Sequence, residues 1–252
     1  MAEIVYSTTA DSYVSHRHNG TDSADVVGDA TDSGTFHSNT ATNVTTGVYN
    51  RTFGLRGGGS DSSFRCHRSF YTFDLSGYSG TATDADFEFY SDSLGSINYS
   101  NIYVIEATAL AGSSADFGNV FSSGTTLGTL LADGQVSSTR QYHTITGNSD
   151  LLTAINNAVG SGTLTVGVMG YFDYRIAAGI STSWPAIGTI NYSRIHMYYA
   201  EGTGTSKDPY LLIDGISVGG GSYSHEVLGV ASGDISTVKG VAVGNISKVL
   251  GV

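Results

Sequence analysis

Cysteine is almost missing from this chain: Cys66 is the only one in 252 residues, which excludes an intrachain disulfide. It lies in a strand-like run, so the sequence predicts a buried small hydrophobe there. Proline occurs only at Pro185 and Pro209, which leaves the turns to Gly, Asn, Asp and Ser. Charged residues make up just 13%, and the three lysines (Lys207, Lys239, Lys248) all fall in the last fifth of the chain. The edge strands of the body therefore lack lysines to deter edge pairing, which suits edges covered by neighbouring subunits. No apolar run is long enough to insert into a membrane, and Met-Ala-Glu-Ile-Val-Tyr has neither the basic nor the apolar region of an export signal. A route out of the cell other than secretion, such as release by lysis, is expected. A formal charge of −11 argues against nucleic-acid partners, because phosphate must be met by a basic face.

What is plentiful is β-forming. Thirty-four glycines, sixteen tyrosines and abundant Thr and Ser describe short strands joined by polar turns. Residues 3–14 read as a strand and a turn with Ile4, Tyr6 and Tyr13 on apolar faces, and 15–50 as a long polar surface loop or insertion anchored by few apolar residues. Residues 52–75 give two strands about a glycine turn, 82–93 and 98–108 alternate, and 162–172, 194–200 and 208–215 supply later strands. One short helix is expected over 150–159, with Asn148 or Ser149 as its cap, an apolar stripe of Leu151, Leu152, Ile155, Ala158 and Val159, and Gly160 as its stop. Gly219-Gly-Gly-Ser222 reads as a hinge between this body and a C-terminal tail.

Catalysis finds little support. Asp84 and Asp86 share a strand face and could in principle form a glycosidase pair, but acids on a solvent face are the plainer reading, with Ala85 and Phe87 turned inward. There is no Gly-x-Ser-x-Gly elbow, no His-Glu-x-x-His and no complete phosphate loop at Arg56-Gly-Gly-Gly-Ser60, so no enzyme is expected. Asp22, Asp25, Asp29 and Asp32 offer the oxygen donors Ca2+ takes, although their spacing is not that of an EF-hand and solvated loop acids explain them as well. His16 and His18 fall on one side of an extended segment, where three chains around a three-fold axis would bring six imidazoles to a transition metal; ordinary surface histidines are the alternative. Glycan binding needs exposed rings beside planar polar groups, and Trp184, Tyr171, Tyr174 and Arg175 are the candidates. The same residue types also serve cores and protein interfaces. Arg51, Arg56, Arg65 and Arg68 are expected to pair with aspartates of their own or a neighbouring subunit.

The tail carries the strongest pattern. Leu228-GVASGDISTV is followed by Lys239-GVAVGNISKV, and Leu250-Gly-Val opens a third copy, a period of 11 residues. Val230 and Val241, Ile235 and Ile246, and Val238 and Val249 are in register. Two glycines per unit disfavour a hendecad helix, and Val, Ile, Ser and Asn favour short strands with turns at Gly-Asp and Gly-Asn. A flexible linker would not keep Val and Ile on a fixed register. So short a unit cannot cover its own apolar face, so Val230, Ile235, Val238, Val241, Ile246 and Val249 are expected to be completed by other chains.

Ala10-Asp-Ser-Tyr-Val14, Arg68-Ser-Phe-Tyr-Thr-Phe-Asp-Leu75, Ala82-Thr-Asp-Ala-Asp-Phe-Glu-Phe-Tyr90 and the closing Pro209-Tyr-Leu-Leu-Ile213 together resemble the DNRLRE-type jelly-roll family, a carbohydrate-binding-module-like sandwich of extracellular and phage structural proteins. The tail resembles the short NGVA…ISKVNGV repeats at the ends of phage virion proteins, with Lys239 and Leu250 where those often carry Asn. The resemblance implies an all-β, jelly-roll-like antiparallel sandwich over 1–214 and an assembly tail over 215–252. It further implies a virion structural protein, a decoration, head-fibre or tail-fibre module of a particle assembled inside a cell and released by lysis. Its expected partners are copies of itself, a trimer being favoured, other virion proteins and a host-surface glycan, with no cofactor beyond a divalent ion. The alternatives are a secreted or cell-surface carbohydrate-binding module and a self-polymerising filament subunit.

Overall fold

A computed structural model of the chain describes residues 2–8, 11–19, 35–38, 44–54, 60–94, 101–123, 125–137, 140–160, 162–180, 192–198, 207–218, 237–238 and 241–242. In chain order its strands are β1 (Glu3–Tyr6), β2 (Ser12–Asn19), β3 (Thr35–Ser38), β4 (Val44–Gly54), β5 (Ser60–Asp74), β6 (Tyr78–Leu94), β7 (Asn101–Glu106), β8 (Phe121–Ser123), β9 (Thr126–Leu127), β10 (Leu130–Gln135) and β11 (Tyr142–Thr146). After these come helix α1 (Ser149–Ala158), β12 (Thr163–Gly170), helix α2 (Tyr171–Ala177), β13 (Tyr192–Met197), β14 (Tyr210–Val218), β15 (Thr237–Val238) and β16 (Val241–Ala242), and a 3-10 segment spans Ser114–Val120.

Among the described residues every strand pairing is antiparallel, and two sheets face each other across one core. The first runs β1-β14-β6-β11. The second has β5 at its centre, with β2 and then β3 on one edge and β12, β7 and β10 beyond the other. Strands β5 and β6 are long enough to take two neighbours in succession. Residues 69–74 of β5 pair with β12 and residues 60–67 with β4, while the end of β6 leaves the first sheet to pair with β13. The chain crosses between sheets from β1 to β2, β5 to β6, β6 to β7, β10 to β11, β11 to β12 and β13 to β14, the jelly-roll habit.

Alternation along the strands builds the core. Ala85, Phe87 and Phe89 of β6, Leu211 and Ile213 of β14, and Ile145 of β11 point inward, against Tyr71, Phe73, Val104, Leu164 and Val166 of the second sheet. Phe87 is fully buried, with Tyr71, Phe73 and Phe89 rings at centroid distances of 5.7, 6.3 and 5.8 Å. Burying such a ring contributes about 2 kcal/mol. Helix α1 closes one end: the Asn148 side chain accepts from the Asp150 and Leu151 amides, Leu151, Ala154, Ile155 and Ala158 are buried, and Gly160 comes next at φ +76°. Cap, stripe and stop are those the sequence predicts. Where β14 meets β6, Gly215 (φ +89°) allows the backbones to approach: a Cβ there would come within 2.2 Å of the Thr81 carbonyl oxygen.

Several expectations need correcting. Two further helical segments join the one expected, and β12 ends at Gly170, so Tyr171 and Phe172 open a helix rather than close a strand. Val5 is the buried residue of β1, while Ile4 and Tyr6 are 44% and 39% exposed, because the register pairs Val5 with the core residue Leu211. Within the stretch expected to be a loop, β2 runs on to Asn19 and β4 forms because the long β5 offers each a ladder on one edge, and β3 pairs in turn with β2. Strand β14 continues past 214, with Ile216, Ser217 and Val218 paired to Gly80, Ser79 and Tyr78. Cys66 is buried, as expected.

Candidate functional site

The two sheets carry different outer faces. On the second, the 3-10 segment and α2 lie over β5, β7 and β12 and bury a separate cluster of Cys66, Phe70, Ile105, Phe117, Val120, Met169 and Phe172. Its anchor is Arg68, fully buried in mid-strand. Arg68 Nε and Nη2 donate to Asp173 Oδ2 and Oδ1 at 2.7 and 2.8 Å, Nη1 donates to the Phe117 carbonyl at 2.8 Å, and the guanidinium lies 3.9 Å from the Phe117 ring centre. One cation thus ties both covering segments to the sheet by a bidentate pair. The expectation that the arginines meet aspartates of their own chain holds for Arg68. Burial, and then the Asp173 charge, push the Cys66 thiol well above its ordinary range, which makes it inert packing.

Three of the four expected glycan residues fall on this cover. Tyr171, Tyr174 and Arg175 are half-buried on α2, Tyr174 stacks on Tyr103 at 3.8 Å and 10°, and the Arg175 guanidinium lies 5.2 Å from the Tyr171 ring centre. One face of Tyr174 is therefore already taken by protein. Trp184 lies outside the described residues.

Among the described residues the outer face of the first sheet is aromatic and partly exposed. Register sets Tyr6 opposite Tyr210, Tyr210 opposite Glu88, Glu88 opposite Thr144 and Tyr90 opposite Tyr142. Since Phe87, Phe89, Leu211 and Ile145 take the core side, these residues alternate outward. The result is a row of partly exposed rings, Tyr6–Tyr210–Tyr142–Tyr90, ended by the buried Tyr198 just past β13, with successive ring centroids 5.7, 5.4, 5.5 and 5.6 Å apart. Most contacts are edge-to-face, the arrangement the ring quadrupoles prefer. Beside the row, Ile4, Leu212, Asp86 and Thr146 form the next cross-strand line.

Polar contacts hold the rings in place. Glu88 accepts from the Tyr210 hydroxyl at 2.8 Å and from the Thr144 hydroxyl at 3.0 Å, and the Tyr142 hydroxyl donates to the Asp208 carbonyl at 3.3 Å. At the far end the Lys207 ammonium lies 4.9 and 4.6 Å from the Tyr90 and Tyr198 ring centres. Partial burial, then the neighbouring Tyr6, Asp208, Glu88 and Tyr90, push the Tyr142 phenol up to about 12. Tyr210 is raised further by burial and by the Glu88 carboxylate that accepts its proton. Rings so fixed have little rotamer freedom left to lose when a ligand arrives.

The remaining expected residues are scattered. Asp84 and Asp86 lie on the outward side of β6 with Ala85 and Phe87 buried, as the alternation predicts. Positions 16 and 18 are two apart in β2, opposite Cys66 and Phe64. Asp22, Asp25, Asp29 and Asp32 lie outside the described residues, as do Val230, Ile235, Ile246 and Val249. Val238 and Val241, from consecutive copies of the repeat, are directly opposed in the β15–β16 pair. Among the described residues no cluster of His, Cys, Asp and Glu suits a metal, and no helix is long and apolar enough to cross a membrane. No protein-family model matches the chain, and no curated protein matches it.

Proposed function

We propose that this chain is a non-enzymatic structural protein of a bacteriophage virion, a decoration, head-fibre or tail-fibre module whose tail joins it to copies of itself. The observation that carries the reading is the junction between repeats. Thr237 and Val238 end one copy, Val241 and Ala242 belong to the next, and they pair as a hairpin across the boundary. The motif Val-x-Gly-Val recurs at 227–230, 238–241 and 249–252, so the unit is serial. An isolated two-stranded hairpin is at best marginally stable in water, and strands from other chains would complete it. A trimer is the favoured assembly. Light scattering on the full chain and on a truncation ending at Val218, which spares all of β14, tests this. A trimer or larger that becomes a monomer on truncation supports it, and two monomers overturn it.

A second reading has its own support in the partly exposed row of Tyr6, Tyr210, Tyr142 and Tyr90. Rings bordered by hydroxyls and a carboxylate are the equipment of saccharide recognition. This suits a carbohydrate-binding module, whether it stands alone or is displayed on the particle. Saturable binding of an oligosaccharide, lost in Tyr142→Ala, is the expected result.

A further inference from the structure

The open tyrosine face carries negative charge along one strand. Asp84, Asp86 and Glu88 alternate on the outward side of β6, with Asp214 opposite Asp84 and Tyr90 next in line. Glu88 raises both Tyr142 and Tyr210, and Asp208 adds to the shift of Tyr142. The ammonium that does lie against the row is that of Lys207, seated over the rings of Tyr90 and Tyr198. Aromatic faces attract cations through their quadrupole, and a nearby carboxylate adds a charge-assisted hydrogen bond. Lys207 therefore marks, at one end of the row, what this surface accepts. Around Tyr6, Tyr210 and Tyr142 the rings have Glu88 beside them, with two oxygens that have accepted one hydroxyl each and retain lone pairs.

We infer that this face binds a saccharide bearing free amino groups, a glucosamine-type polymer, in preference to its N-acetylated counterpart. The inference rests on the glycan reading above and names the ligand class for it. In this arrangement the sugar ring packs against Tyr6, Tyr210 and Tyr142, its hydroxyls bond to Thr144 and the phenols, and its ammonium meets Glu88 and Asp86. Acetylation removes the charge, so the acetylated sugar retains the ring contact and loses the ionic one. An anionic glycan meets repulsion from the acids of β6. A saccharide suits the surface better than a basic peptide because the row lies on a flat sheet face and presents hydroxyls. Peptide anchors seek pockets, and the rings here already fill the space between one another.

The test is calorimetric titration of the full chain with a glucosamine hexamer, an N-acetylglucosamine hexamer and an oligolysine, each at mildly acidic pH. The expected result is binding of the free amine about tenfold tighter than the acetylated sugar, a preference worth about 1.4 kcal/mol. It should fade as the sugar amine loses its proton and shrink in Glu88→Gln, where Asp86 alone still faces the amine. The key comparison uses two ligands on the unmodified protein, so it does not depend on any variant folding. Equal binding of both hexamers overturns the amine preference and leaves the glycan reading standing. Binding of neither hexamer removes the glycan reading, and oligolysine binding as tight as the free amine overturns the saccharide class.

Discussion

Among the described residues the second sheet is covered on its outer face and the first is not, and their strands differ accordingly. Strand β12 is buried from Leu164 to Gly170, and β7 from Ile102 to Ile105, since each has the core on one side and the helical cover or its cluster on the other. Strands β6 and β11 instead alternate, with Phe87, Phe89 and Ile145 inward and Glu88, Tyr90 and Thr144 outward. The covered face tolerates a charge only because Arg68 is fully paired. The other face keeps Tyr6, Tyr210, Tyr142 and Tyr90 in contact with one another and partly exposed to water. A continuous apolar strand thus signals a covering layer on both faces, and an alternating strand signals one on a single face.

The sharpest way to break the contrast is to remove Arg68. Arg68→Ala leaves Asp173 buried without its cation and frees the 3-10 segment and α2 from β5, so a loss of about 3–5 kcal/mol is expected in urea unfolding. A paired replacement, Arg68→Met with Asp173→Leu, should recover most of it, because the cost lies in the orphaned charge. If Arg68→Ala costs no more than a surface substitution, the cover is not anchored there. A smaller effect is expected from Gly167→Ala. The added Cβ would stand 2.4 Å from Val120 Cγ1 and 3.1 Å from a Phe70 ring carbon, forcing the cover away from β12 at a cost of about 1–3 kcal/mol. On the open face, Thr144→Val should change stability by about 0.5 kcal/mol or less, read in the same urea titration.

The sequence made the sandwich legible where one physical signal dominated. Residues 82–90 alternate so regularly that both faces of β6 could be assigned, and Asn148, the Leu151–Ile155 stripe and Gly160 defined α1 from cap to stop. It failed where burial came from elsewhere in the chain. The run Gly162–Phe172 looks like one strand because its apolar character is unbroken, and only Asp173 reaching Arg68 explains why the chain turns into a helix at Tyr171. The site was harder to see. Tyr6, Tyr90, Tyr142 and Tyr210 are scattered along the chain, and only the registers of β1, β14, β6 and β11 bring them together. The local signal was present, tyrosine on the polar parity of strands whose other side was plainly core, but which strands adjoin is a property of topology. For β1 the parity itself misled, since Ile4 and Tyr6 are as apolar as Val5 and only the pairing with Leu211 decides which turns inward.

The smallest effect expected is electrostatic and is read on the tyrosine phenols. A phenol is neutral when protonated, and the Tyr142 value of about 12 exceeds the unfolded value of about 10, so the folded state holds its proton to higher pH. The stability this represents is fully present below pH about 10 and is lost as pH rises towards 12, because the unfolded chain then binds fewer protons. Tyr210 is shifted in the same direction by burial and by Glu88, and Tyr71 in the core by burial and Asp11, so the alkaline decline is shared among them. Tyr142→Phe isolates one contribution. It keeps the ring contacts with Tyr90 and Tyr210 and removes only the ionisable hydroxyl, so stability near neutrality should barely change while the decline above pH about 10 becomes shallower. Glu88→Gln should lower the alkaline midpoint of tyrosinate absorbance by removing the negative neighbour of both phenols. An unchanged titration in Glu88→Gln would mean that burial alone sets these phenols, and the acidic character assigned to the row would lose its main support.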